Sequence, residues 1–150
     1  MYEMRMDMAD FDNQTSYVKY NSFNVGNEAS KYRVTLHGYS GNVDDCFTTN
    51  TGINYMMFST PDKDNDRSSL KDCANKYQAG WWYRYCHCAN PNGKYLAGNN
   101  TQLGVGITYK AWRGQLYSLK SIQFMVKPHH NYSTHVPEIM ETESETYLNI

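Results

Sequence analysis

No block of basic residues occurs in this chain: 14 Lys and Arg stand against 15 Asp and Glu, a formal charge of -1. Binding to a phosphate backbone draws on clustered Lys and Arg, so no nucleic-acid partner is expected. Apolar runs are only a few residues long, far below the roughly 20 that span a bilayer, and no membrane partner is expected either. The opening residues, MYEMRMDMADF, contain no apolar stretch of the signal-peptide kind. A nucleophile elbow and a phosphate-cradling glycine loop are also missing, which argues against an enzyme even though Asp64 and Asp66 could be drawn as paired acids. Leu and Ala are scarce, which disfavours a helical bundle.

What the chain does have is 14 Tyr, 5 Phe and 3 Trp, with frequent Asn and 10 Gly, in 150 residues, the length of one domain. Aromatic residues favour pleated strands, Gly and Asn favour tight turns, and Tyr-rich surfaces suit the gripping of a ligand. Residues 2–8 alternate, with Tyr2, Met4, Met6 and Met8 on one face and Glu3, Arg5 and Asp7 on the other. A second strand is expected over 16–23 and a third over 31–37, where Tyr32, Val34 and Leu36 share a face; short links make the three an antiparallel meander. From Gly38 to Asn100 the periodicity is lost, and a loop-rich region in need of staples is expected. Residues 116–127 read as a late strand returning to the sheet, and Trp81 and Trp82 as core anchors. The tail 129–150 has no pattern and is expected to be disordered.

Four cysteines, Cys46, Cys73, Cys86 and Cys88, admit three pairings as two disulfides. Cys86-His87-Cys88 also suggests zinc, but neighbouring side chains on one strand diverge, and structural zinc sites use wider spacings. Sequons at Asn13, Asn99 and Asn131 are compatible with glycosylation of a secreted protein. In DKDND, Asp64 and Asp66 alternate as oxygen ligands of a hard cation would. Taken alone, the stretch reads more readily as a solvated acidic turn.

The order and spacing of five further blocks are more specific: Phe58-Ser-Thr-Pro-Asp-Lys-Asp-Asn-Asp66, Cys73-Ala-Asn, Gly80-Trp-Trp-Tyr83, Cys86-His87 and Asn92-Gly-Lys-Tyr95. Gly106-Ile107, Trp112-Arg113-Gly114, Tyr117-Ser-Leu-Lys120 and Met125-Val-Lys-Pro128 continue the series, and Tyr17, Tyr20, Phe23-Asn-Val-Gly-Asn-Glu28 and Tyr32-Arg33 precede it. Together these blocks resemble the fibrinogen C-terminal domain family over residues 1–128. The resemblance implies an α+β fold in which an antiparallel sheet meander carries a loop-rich subdomain stabilised by disulfides and calcium. The family's domain is longer on its N-terminal side. The expectation is therefore a partial domain lacking its N-terminal subdomain, with any homo-oligomer formed through that upstream region.

The site residues follow from the same resemblance. Calcium would be held by the carboxylates of Asp64 and Asp66 and the carbonyls of Ser68 and Leu70, although the stretch from Asp66 to Cys73 is one residue longer than usual. Cys73 and Cys86 match the family's disulfide; Cys46 and Cys88 have no counterparts, and a bridge between them is a separate expectation. A cis bond between Cys86 and His87 would form the floor of a ligand pocket. Around it Leu103 and Gln115 stand where sugar-binding members have two tyrosines, and Tyr77 and Gly104 where fibrinogen has acidic groups. Two functions are implied for such a secreted, non-enzymatic domain. The first is calcium-dependent, lectin-like binding of acetylated glycans in innate immunity. The alternative is binding of an extracellular protein, as in matrix or receptor-binding domains of fibrinogen, tenascin or angiopoietin type.

Overall fold

Met4, Met6 and Met8 are buried along one face of the first strand, β1 (Tyr2–Ala9), as strict alternation dictates. In the computed structural model, which describes residues 1–129 and 147–149, β1 pairs antiparallel with β2 (Thr15–Val25), and β2 with β3 (Val34–Gly41). The loop region then contributes α1 (Cys73–Tyr77), β4 (Ala89–Asn90), β5 (Gly98–Asn99), β6 (Thr108–Tyr109), α2 (Lys110–Arg113) and β7 (Tyr117–Ser118). Strand β8 (Ser121–Pro128) returns to the sheet beside β1, and β9 (Leu148–Asn149) adds to β8, giving the order β3-β2-β1-β8-β9.

Three expectations are corrected in detail. Tyr2, at the start of β1 beside an irregularity in the β1–β2 register, is half exposed, while Glu3 is buried among Lys19, Lys127, His129 and Tyr147. The third strand starts at Val34, not Lys31: Lys31 and Tyr32 both take left-handed conformations (φ 56°) after a 3-10 turn capped by Asn27, so Tyr32 faces outward. The stretch 116–127 is two strands. Tyr117–Ser118 pairs with Gly98–Asn99, then the Leu119 amide donates to the Ile107 carbonyl (2.8 Å) and that of Lys120 to Ala9 (2.9 Å), and the chain turns into β8.

The loop-rich region is packed through aromatic rings rather than regular elements. Phe47 stacks on Tyr20 of β2 (5.6 Å between centroids) and lies 5.8 Å from Trp81; Trp81 is 5.0 Å from Trp82, which meets Phe23 edge-on at 6.4 Å. Such contacts add directional preference to the burial of large apolar surfaces. Near the end of β8, Glu3 gathers His129 (2.9 Å), Lys127 (3.3 Å), Lys19 (3.4 Å) and the Tyr147 hydroxyl (2.8 Å). Residues 130–146 and 150, including the sequon at Asn131, lie outside the described residues, and with them most of the expected disordered tail.

Candidate functional site

The acidic loop is organised by its own backbone. Asp66 accepts the Ser68 amide on Oδ1 and the Cys73 amide on Oδ2, both at 2.8 Å, while Asp64 accepts the Asp66 amide at 3.1 Å. Asp72 caps α1 by accepting the Asn75 amide (3.1 Å). Oxygens of Asp64, Asp66 and Asp72 lie within 4.8 Å of one another, a hard-oxygen donor set that suits a calcium ion. Burial, with the neighbouring Asp64 carboxylate, raises the Asp66 pKa against the pull of its two backbone hydrogen bonds. Of the expected carbonyl donors, Ser68 is half-buried and Leu70 extends its side chain into solvent at 80 % exposure. Asp72 is an addition to the sequence reading. Its signal was an aspartate directly before Cys73, the first residue of a helix.

The second candidate centre is His87. Both expected disulfides are present: Cys73–Cys86 joins α1 to the residue before His87, and Cys46–Cys88 joins the 44–48 turn to the residue after it. Four cysteine sulfurs in disulfides leave no thiolate for zinc. The cis peptide lies one residue earlier than expected, between Tyr85 and Cys86, where the Arg84 amide donates to the Cys86 carbonyl (2.9 Å).

The His87 ring is only 8 % exposed and meets the edge of Tyr77 at 4.5 Å. Its Nε2 lies 2.9 Å from the Gly104 carbonyl; because a carbonyl only accepts, Nε2 carries the proton. Nδ1 is then a buried acceptor with no partner among the described residues. Burial lowers the His87 pKa to about 4, against the opposing effect of the Gly104 bond, so the ring is neutral at physiological pH.

Gly104 closes the roof. Its φ of +72° suits glycine, and an added Cβ would stand 2.9 Å from the Tyr77 ring and 3.1 Å from His87 Nε2. The Gly104 amide donates to the Gln115 carbonyl (2.8 Å). Asn90, which sequence reasoning missed, completes the scaffold: its side-chain amide donates to the carbonyls of Gly104 (3.2 Å) and Gly106 (3.3 Å), and its Oδ1 accepts the Tyr83 hydroxyl (2.6 Å). The expected pocket residues Cys86, His87, Leu103, Gly104, Gln115 and Tyr77 are thus brought together. Cys86, Tyr77 and Gln115 are half-buried, while Leu103 projects outward at 59 % exposure, as does Tyr85 at 51 %.

The chain matches the family profile described as fibrinogen beta and gamma chains, C-terminal globular domain, over residues 1–129. It is 40% identical over 132 residues to Fibrinogen C domain-containing protein 1-B of Xenopus laevis, and 39% identical over 132 residues to Fibrinogen C domain-containing protein 1 of Homo sapiens. In both cases 85% of this chain is covered, but only 28% of the relative. Among solved structures it is similar to the fibrinogen-like globe domain of human ANGPTL2, with a TM-score of 0.80 and 32% identity over 86% of this chain and 59% of that one. It is also similar to a lamprey fibrin D-dimer complexed with the peptide ligand Gly-His-Arg-Pro-amide, with a TM-score of 0.79 and 27% identity over 97% of this chain and 51% of that one. The sheet, the loop-rich region and the paired cysteines are those of a member of the fibrinogen C-terminal domain family, to which the chain belongs.

Proposed function

We propose that this domain is a non-enzymatic recognition module of an extracellular protein, and that its partner is a polypeptide gripped at the surface around His87. The observation that carries this reading is the closure of the floor. The imidazole is buried beneath Gly104 and Tyr77, while Leu103 and Tyr85 stand out at the rim. An acetyl group needs a recess with polar groups to orient it. A protein partner can use a closed floor with projecting apolar and aromatic anchors. The peptide-bound fibrin relative is consistent with this mode.

Calcium has a structural role in this reading. Asp64, Asp66 and Asp72, with the carbonyls of Ser68 and Leu70, would hold the ion and neutralise the acidic loop next to α1. The two disulfides fit an oxidising compartment, and the sequons at Asn13 and Asn99 fall on exposed residues that a glycan can reach.

The lectin-like reading is the second, and one experiment separates the two. The oxidised chain is passed in calcium over N-acetylated resin, then over an array of peptides from extracellular proteins. Flow-through on the resin, with array binding abolished by Leu103→Asp, supports the polypeptide reading. Retention on the resin with release by chelator replaces it with the lectin.

A further inference from the structure

The two disulfides converge on three consecutive residues, with Cys86 and Cys88 cross-linked in different directions and His87 between them. The partner of Cys86 lies in α1, a five-residue helix following the acidic loop. The partner of Cys88 stands on a far better anchored turn. There the Asp45 carboxylate accepts the amides of Phe47 (2.8 Å) and Thr48 (3.1 Å) and the hydroxyls of Thr48 and Tyr20, the last belonging to β2 of the main sheet. The Cys46 amide donates to the Tyr109 hydroxyl (2.9 Å), which donates in turn to the Asp44 carbonyl (2.5 Å). Cys46 is buried on this turn, fixed to β2 through Tyr20 and to β6 through Tyr109.

Among the described residues the one polar contact of His87 is Nε2 to the Gly104 carbonyl, its ring packs against Tyr77 (4.5 Å) and Tyr83 (6.0 Å), and Nδ1 has no partner. A site of this kind keeps its geometry only when a second layer of structure locks it. We propose that the Cys46–Cys88 disulfide is that lock: Cys46 and Cys88 are positioning residues that tie His87 to the main sheet and hold its imidazole beneath Gly104. The link to ligand binding rests on the function proposed above; the positioning of His87 does not.

The test uses the full chain with Cys46→Ser and Cys88→Ser together, Cys73–Cys86 being verified by mass spectrometry of a digest. The pH titration of the His87 ring proton is followed by NMR. In the parent the midpoint is expected at about 4. In the variant it is expected to move up by about one unit or more as the ring escapes its buried position, and affinity for an array-selected peptide to fall about tenfold. An unchanged midpoint in a folded variant overturns the proposal. Should the serine pair fail to fold, Cys46→Ala with Cys88→Val, which keeps apolar volume, takes its place; failure of both makes the bridge a general staple and also overturns it. A midpoint that moves while peptide affinity is retained upholds the positioning of His87 and removes this surface from the proposed function.

Discussion

The Nε2 of His87 donates to the carbonyl of Gly104 across 2.9 Å, so that a loop glycine and a buried histidine 17 positions apart form one closed unit. The same glycine is held by the Asn90 side chain and the Gln115 carbonyl, which makes it the point where the β4 and β7 sides of the loop region meet.

Gly104→Ala tests that unit. The new methyl group meets the Tyr77 ring at 2.9 Å in a backbone conformation (φ +72°) that alanine disfavours. Strain and the displaced contact together are expected to cost about 1–3 kcal/mol, read as a lower midpoint in denaturant melts, and to weaken binding at this surface. A midpoint unchanged from the parent would show that the roof yields freely.

The pH dependence of stability carries a signature of His87. Its value in the folded protein, about 4, is below the ordinary 6.5, so the unfolded chain takes up the proton first as pH falls. The stability associated with the neutral ring is complete above pH 6.5 and is lost as the pH drops towards 4, amounting to about 3 kcal/mol over that window. His87→Gln should flatten the melt profile between these limits. Glu3 acts in a separate, lower window. Burial alone would raise its pKa, but hydrogen bonds from His129, Tyr147 and Lys127 outweigh burial and pull it to about 2, so its contribution is present above pH 4.5 and fades as pH falls towards 2.

The acidic loop gives paired substitutions with different outcomes. Asp66 satisfies two backbone amides without any metal, so Asp66→Ala is expected to destabilise the chain by about 1–3 kcal/mol in chelator as well as in calcium. Asp64 accepts one local amide, and Asp64→Ala should act mainly by reducing the rise in melting temperature on adding calcium, a rise worth about 2.7 kcal/mol when calcium stands at a hundred times its dissociation constant. Differential scanning fluorimetry with and without chelator measures both. Equal responses to calcium in the parent and in both variants would remove the ion from this loop.

The periodicity of the strands was legible because their environment is two-sided: Met4, Met6 and Met8 alternate with polar residues in β1, and Val18 and Tyr20 do so in β2. The start of β3 was not legible, because the left-handed turn at Lys31 and Tyr32 is set by the capping of the preceding 3-10 turn, and neither residue favours that conformation. In the loop region the motif spacing marked Cys73, Cys86 and His87, while Asp72 was marked only by its place directly before Cys73 and Asn90 by nothing local, since it acts on backbone groups distant from it.

By itself the sequence determined the sheet meander and the family, because each is written in local alternation or in motif spacing. Only the tertiary structure decided that the histidine is buried and neutral rather than open, that Asp72 joins the acidic pair, and that Cys88 is bound to a turn anchored on β2. Those properties come from which distant groups share one small volume, where loss of water and a carbonyl at hydrogen-bond distance outweigh anything the neighbouring residues prefer.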